Sequence, residues 1–217
     1  MSVPIISVIV PTYNRGNFVS RCLRSLLFES LPKSQYEIIL VDDSSTDNTS
    51  KILDKFNTRI KIIKNKKNMG LPYSLNVGIK SSLGRFIIRV DSDDYVHTDY
   101  LKILSLHLLL NDDIDAVCCD YFRVNEKDIH IERVNFDKKP IGCCVMFRVD
   151  QLIKIGLYDE KMIMQEDKDL LFRFKKKFKL YRCPIPLYRY FKHNNNLSNN
   201  KKKMAEYSKK IKKKYDN

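Results

Sequence analysis

The chain has no apolar run that approaches the ~20 residues needed to cross a bilayer as a helix. Membrane association, if any, is expected to be peripheral. A secretory leader is not expected either, because the apolar start, residues 1–10, lacks a basic segment and runs straight into Pro11. Cysteine is present without pattern. Cys22, Cys118, Cys119, Cys143, Cys144 and Cys183 form two adjacent pairs and two singletons, with no CxxC spacing. That excludes the usual zinc arrangements and predicts reduced core or strand cysteines in a cytosolic protein. Also missing is a basic face interleaved with stacking aromatics, so nucleic acid is not an expected partner.

What the 217 residues do have is a 43% hydrophobic composition, enough for one domain with a substantial core. The net charge is +14, unevenly spread. Residues 201–217 carry eight lysines against Glu206 and Asp216, which leaves +8 for the body. A body of that sign suits anionic partners such as phosphates and nucleotides. The lysine-rich end, with Met204, Tyr207 and Ile211 as a thin apolar stripe, reads either as a helix on an anionic bilayer or as a frayed, solvated terminus.

Periodicity divides the first ninety residues into strand and helix in turn. Residues 5–10 are β-rich and apolar and end at Pro11, a buried first strand. Asn17 is placed to cap the next helix, whose Phe18, Cys22, Leu26 and Val19, Leu23, Leu27 recur at helical spacing. A second strand covers 37–41, a short helix carries Ile52, Leu53 and Phe56, and a third strand covers 59–64. Pro72 opens a helix that runs to about Ser82, and a fourth strand fills 85–90. Such alternation predicts a parallel sheet with right-handed crossovers. Beyond it come a leucine-rich helix at 100–110, a fifth strand at 115–124, an edge strand or hairpin arm at 129–136, an apolar run at 143–149 and a helix from Gln165. Extended segments punctuated by Pro184 and Pro186 fill 180–189.

The fourth strand leads into Asp91-Ser92-Asp93-Asp94. Three carboxylates in four residues raise one another's pKa unless a cation lies among them, and strand carboxyl ends are where α/β sheets bind ligands. A divalent metal holding a diphosphate is one reading; a polar turn is the other. Loops with carboxylates also follow the second strand (Asp42-Asp43), on the same sheet edge.

The ordered set Ser7-Val8-Ile9-Val10-Pro11-Thr12-Tyr13-Asn14-Arg15, Val41-Asp42-Asp43-Ser44-Ser45-Thr46-Asp47, Asn68-Met69-Gly70, Asn76-Val77-Gly78, Gly84, Asp91-Ser92-Asp93-Asp94, Gly156-Leu157-Tyr158-Asp159 and Glu166-Asp167 resembles a family 2 glycosyltransferase of the GT-A fold. The likeness covers roughly residues 5–193. It implies a Rossmann-like, mostly parallel central sheet flanked by helices, with a small antiparallel acceptor-side portion. The implied domain is 1–198, nucleotide-binding to about 94 and acceptor-binding from about 95, followed by the lysine-rich tail at 199–217. It also implies transfer of a hexose or N-acetylhexosamine from a nucleotide-diphosphate donor, a UDP-sugar by expectation, to a glycan or lipid-linked saccharide with inversion at the cytoplasmic membrane face.

The same resemblance assigns roles. Pro11, Thr12, Tyr13, Asn14 and Arg15 would line the base and ribose, Asp42 would accept from the uracil N–H, and Asn68 and Gly70 would approach from the third loop. Asp42 has a helix cap as its plainer reading, and Asn68-Gly70 a turn. Asp91 and Ser92 would sit near the ribose, with Asp91 shared with the metal. Asp93 would hold Mn²⁺ or Mg²⁺, cations that favour hard oxygen ligands, while Asp94 would support the loop. Asp167 is the expected general base, with Glu166 as the second choice; two acids satisfying a helix dipole is the alternative. His193 is a further candidate metal ligand, or else a solvent-facing loop histidine. The competing function is a nucleotide-sugar-binding module without turnover, one subunit of a larger glycan-assembly complex.

Overall fold

The computed structural model describes residues 3–194 and 196–215. Residues 1 and 2 of the apolar start, Asn195 of the polar loop, and residues 216 and 217 of the lysine-rich end lie outside the described residues.

The strand–helix alternation is realised as β1 (Ile6–Thr12), α1 (Val19–Leu27), β2 (Tyr36–Asp42), α2 (Thr49–Leu53), β3 (Lys61–Lys64), α3 (Leu71–Lys80) and β4 (Phe86–Arg89). β1 pairs in parallel with both β2 and β4, and β2 with β3. All seven residues of β1 are buried, as a strand covered on both faces requires. The amphipathic spacing of α1 turns Val19, Cys22, Leu23 and Leu26 inward. Gly70, at φ 91°, makes the turn that starts α3, a conformation costly to any residue with a Cβ. Pro72 follows in its first turn, where its missing N–H costs nothing.

The second half adds β5 (Tyr95–Val96), α4 (Tyr100–Leu110), β6 (Ala116–Val124), β7 (His130–Val134), β8 (Val145–Arg148), α5 (Val149–Lys154), α6 (Glu166–Lys175), β9 (Leu180–Phe191) and α7 (Lys201–Tyr215). All strands join one sheet, ordered β3-β2-β1-β4-β8-β6-β9-β5, with β7 paired to β6. β8 runs antiparallel to β4 and β6, while β9 is parallel to β6. The architecture is the expected α/β one, with the parallel strands β1 to β4 carrying the first ninety residues and every antiparallel pairing involving a strand of the second half. All six cysteines are buried and free. Among the described residues no helix is long and apolar enough to cross a membrane.

Four local expectations are corrected. Asn17 is exposed and caps nothing; the amides of Phe18 and Val19 bond the Arg15 carbonyl at 2.9 Å, so the preceding loop closes the helix start. Arg59 and Ile60 belong to the turn after α2, their amides held by the Phe56 carbonyl, so β3 starts at Lys61. Pro184 and Pro186 do not break the chain into pieces: β9 is continuous and absorbs them where the register with β6 shifts around Asp120, since a bulge tolerates residues that cannot donate to the ladder. The lysine-rich end is not frayed. Met204, Tyr207 and Ile211 are a docking seam: Tyr207 is buried against Met162 and Met164, and Lys214 Nζ lies 2.8 Å from Asp159 and 2.7 Å from Asp169.

Glu29, just past α1, is buried, and both its oxygens lie 3.2 Å from the Leu101 amide in the first turn of α4. Burial pushes its carboxyl up to about 8 from an ordinary 4.5. The folded state therefore holds this proton more tightly than the unfolded chain. Its contribution is fully present below the unfolded value and is lost as pH rises towards about 8. Glu29→Gln, which keeps an acceptor but cannot ionise, is expected to flatten the pH dependence of urea-unfolding stability between about 4.5 and 8. An unchanged slope would refute the assignment.

Candidate active site

The parallel pairing brings the carboxyl ends of β1, β2 and β4 to one edge, and the loops leaving them interlock. Asn14, at φ 51°, offers its side-chain oxygen to the amides of Thr46 (2.8 Å) and Asp47 (3.3 Å), while its own amide donates to Ser45 Oγ at 3.0 Å. The Arg15 amide donates to Thr49 Oγ1 and the Gly16 amide to Asp47. Asp42 is buried and accepts from the Ser45 amide at 2.9 Å, closing the loop well before α2 starts rather than capping a helix. Pro11 and Thr12 are buried and Tyr13 is exposed. Thr12 Oγ1 is buried with no hydrogen-bond partner among the described residues, the kind of orphan that a ligand can satisfy.

Asp43 follows Asp42 at the end of β2 and is also buried. It accepts from Asn65 Nδ2 (2.7 Å), the Met69 amide (2.9 Å) and the Gly70 amide (2.8 Å), and so fastens the third loop to the second. Asn68 is exposed within that loop, and Gly70 closes it.

After β4 the three aspartates point to three different partners. Asp91 gives both carboxylate oxygens to Arg89, at 2.6 and 3.0 Å. Asp93 Oδ2 lies 2.9 Å from His193 Nε2 and 3.3 Å from Arg15 Nε. Burial by itself would raise the Asp93 carboxyl, but the His193 hydrogen bond and the Arg15 charge hold it below the ordinary aspartate value. Asp94 is fully buried and accepts from Tyr188 OH (2.6 Å) and the Phe191 amide (2.7 Å), which ties the loop to β9. Burial, reinforced by the charges of Asp93 and Asp91, pushes the Asp94 carboxyl well up towards its neutral form. Ser92 is buried between them.

His193 does not face solvent. It is buried, its ring tilted against those of Phe18 (4.6 Å) and Phe191 (5.6 Å), with its Nε2 2.9 Å from Asp93. A carboxylate oxygen and an imidazole nitrogen converging in this way are a donor set that suits a transition-metal dication such as Mn²⁺ better than Mg²⁺, which prefers oxygen alone. Asp91, Asp94 and Cys143 also bring ligand atoms within 4.8 Å of one another. That group suits a hard cation poorly, because burial drives both the Asp94 carboxyl and the Cys143 thiol towards their protonated forms.

The acidic pair sits at the start of α6. Glu166 is buried, with its Oε1 2.7 Å from Arg89 Nη1, so Arg89 links it to Asp91. Burial pushes the Glu166 carboxyl up to about 7 against the pull of that guanidinium. Asp167 is only partly buried and accepts from the Gly142 amide at 3.0 Å. Only glycine permits this approach: a Cβ at 142 would lie 2.8 Å from that of Asp167. Of the two acids, Asp167 is the one not committed to a buried cation. The structure thus brings Asp91, Asp93, His193 and Arg15 onto one loop cluster and connects them through Arg89 to Glu166 and Asp167. In the sequence Arg89 is marked only by being an arginine inside an apolar run, two residues before an acidic cluster.

The family model for Glycosyl transferase family 2 matches residues 7–185. Among curated proteins, poly(ribitol-phosphate) beta-N-acetylglucosaminyltransferase TarS of Staphylococcus aureus is 40% identical over 99 residues, 44% of this chain and 17% of that protein. Among solved structures, residues 1–349 of the same S. aureus protein in complex with UDP-GlcNAc superimpose with a TM-score of 0.78 at 24% identity, over 92% of this chain and 61% of that one. A mannosyltransferase of Pyrobaculum calidifontis in complex with GDP-Man and Mn²⁺ gives 0.73 at 17% identity, over 89% and 58%. Both superpositions show a shared fold.

Proposed function

The chain belongs to glycosyl transferase family 2, and on that premise we propose that it transfers a hexose or N-acetylhexosamine from a UDP-sugar to a hydroxyl of a glycan acceptor, inverting the anomeric centre. The observation that carries this reading is Arg89, which ties Asp91, on the loop where Asp93 meets His193 and Arg15, to Glu166, the neighbour of Asp167. The relative seen with UDP-GlcNAc supports the donor class, and the one seen with GDP-Man and Mn²⁺ supports a divalent cation.

In this reading Tyr13 stacks on the base, Thr12 and Asp42 take the nucleoside's polar groups, and Asn68, Gly70 and Ser92 line the ribose side. Asn14 and Arg15 fix the loop that covers it. Asp93 and His193, with Asp91 beside them, would hold the cation, which when bound supplies Lewis-acid stabilisation of the departing diphosphate. Asp167 receives the acceptor proton as the acceptor oxygen bonds to the anomeric carbon. The bond from that carbon to the diphosphate oxygen breaks on the opposite face, its electron pair leaving with the diphosphate.

The test is UDP or GDP release from UDP-GlcNAc, UDP-glucose and GDP-mannose with Mn²⁺ or Mg²⁺. Turnover of one UDP-sugar is expected, abolished by chelation, and Asp93→Asn is expected to lower it about 10³-fold. Chelator-resistant turnover, or a fully active Asp93→Asn variant, would refute the metal assignment.

The site is also proposed to work at the cytoplasmic face of a membrane. Lys201, Lys202, Lys203, Lys209, Lys210, Lys212 and Lys213 are exposed on α7, and each lysine near an anionic surface contributes about 1 kcal/mol. Binding to phosphatidylserine vesicles is expected to weaken steeply between low and physiological salt. Equal binding to neutral vesicles would count against it.

A further inference from the structure

Gln165, which immediately precedes the acidic pair, is buried and adopts the left-handed conformation, φ 57° and ψ 29°. A residue with a Cβ stays there only when its surroundings hold it. Here the holding comes from α7: the Gln165 side-chain amide donates to the Met204 carbonyl at 2.5 Å and to Ser208 Oγ at 2.7 Å. Its backbone carbonyl accepts from the Lys168 and Asp169 amides in the first turn of α6. One residue therefore joins α7 to the turn that carries Glu166 and Asp167.

Other contacts fasten the same two elements. Asp169, fully buried, accepts from Lys214 (2.7 Å) and from Tyr215 OH (2.6 Å), both on α7, and pairs with Arg173 on its own helix. Tyr207 packs on Met162 and Met164, just upstream of Gln165. The start of α6 is thus gripped twice, by Arg89 and Gly142 towards the aspartate loop and by α7 through Gln165.

We infer that Gln165 is a positioning residue: its amide, held by α7, sets the direction in which the first turn of α6 presents Asp167 to the acceptor hydroxyl. The inference rests on Asp167 being the general base. It gives α7 a role in the transfer step separate from any contact its exposed lysines make. A misplacement of about 1 Å at a reacting group can cost 10²-fold in rate, so the small number of bonds involved is sufficient.

The test uses the full chain with whichever of UDP-GlcNAc, UDP-glucose or GDP-mannose it turns over, and UDP·Mn²⁺ binding by calorimetry as a readout independent of turnover. Gln165→Leu removes the amide. Gln165→Gly removes it while accepting the left-handed backbone, so it keeps a folded variant in hand. Both are expected to lower kcat ~10- to 100-fold while leaving UDP·Mn²⁺ affinity and donor KM within about twofold. Ser208→Ala, on α7 itself, is expected to lower kcat by a smaller factor. In the Asp167→Asn background, Gln165→Gly should cost nothing further, because the group it positions is gone. Wild-type kcat in Gln165→Gly, or a full additional loss in the Asp167→Asn background, overturns the inference while the base reading stands. A wild-type rate in Asp167→Asn alone overturns the base reading and the inference with it.

Discussion

Asp167→Asn is expected to lower sugar transfer by about 10²- to 10⁴-fold, the range that general-base catalysis contributes, with UDP·Mn²⁺ affinity unchanged. The amide keeps an oxygen for the Gly142 N–H, so the local geometry survives while proton acceptance is lost. The contrast with Glu166 sharpens the prediction. Glu166 is buried on Arg89, with no face left for an acceptor hydroxyl, so Glu166→Gln acts through the Arg89 pair and falls short of the Asp167→Asn loss. The discriminating measurement is single-turnover transfer from a saturating donor. If Glu166→Gln were the more damaging of the two, the base assignment would have to be exchanged.

Arg89→Met is expected to cost about 3–5 kcal/mol of stability, because it leaves buried Glu166 and half-buried Asp91 without their shared cation. Arg89 is only 8% exposed and bonds Asp91 through two nitrogens and Glu166 through a third. The Arg89 guanidinium gives up solvation by burial, and the charges of Asp91 and Glu166 more than compensate, so it stays firmly protonated. Without it, Glu166, whose carboxyl burial already pushes up to about 7, takes a proton more readily still. The penalty should therefore grow as pH rises above about 7, where the wild-type carboxyl ionises against Arg89 and the orphaned one resists ionising, and level off below it. Urea unfolding of Arg89→Met and of Arg89→Met/Glu166→Gln measures this. The double variant should recover part of the loss at pH 7. A cost below ~1 kcal/mol would mean that Arg89 is not the hub of the site.

The two effects concern one connection. Arg89 joins the loop that carries Asp91 and Asp93 to the helix that carries Glu166 and Asp167. These segments lie more than seventy residues apart in the chain and become neighbours because β8 inserts beside β4 and brings Gly142 with it. Loss of the hub should therefore disturb the donor side and the base side together, whereas Asp167→Asn disturbs only the second.

Much of this was legible in the residues themselves. Short β-branched runs between amphipathic segments dictate a parallel α/β sheet, since such runs bury both faces and need helices to cover them. Their order brings the loops after β1, β2 and β4 to one edge, so the candidate carboxylates could be named from sequence and their family resemblance read. The lysine-rich end already showed its apolar stripe at Met204, Tyr207 and Ile211.

Only the tertiary structure decided which partner each charge takes. Sequence spacing cannot say that Asp91 turns to Arg89, Asp93 to His193 and Asp94 to Tyr188, because each partner arrives from another strand or loop. It does not show that His193 is buried against two phenylalanine rings, nor that Glu166 is committed to an ion pair while its neighbour Asp167 is not. The stripe on α7 named a face but not what it rests against, the segment leading into the acidic pair. Local chemistry sets which segments form and what each residue can do. Long-range packing alone sets which charges meet, and in a buried site that meeting fixes their protonation and hence their work.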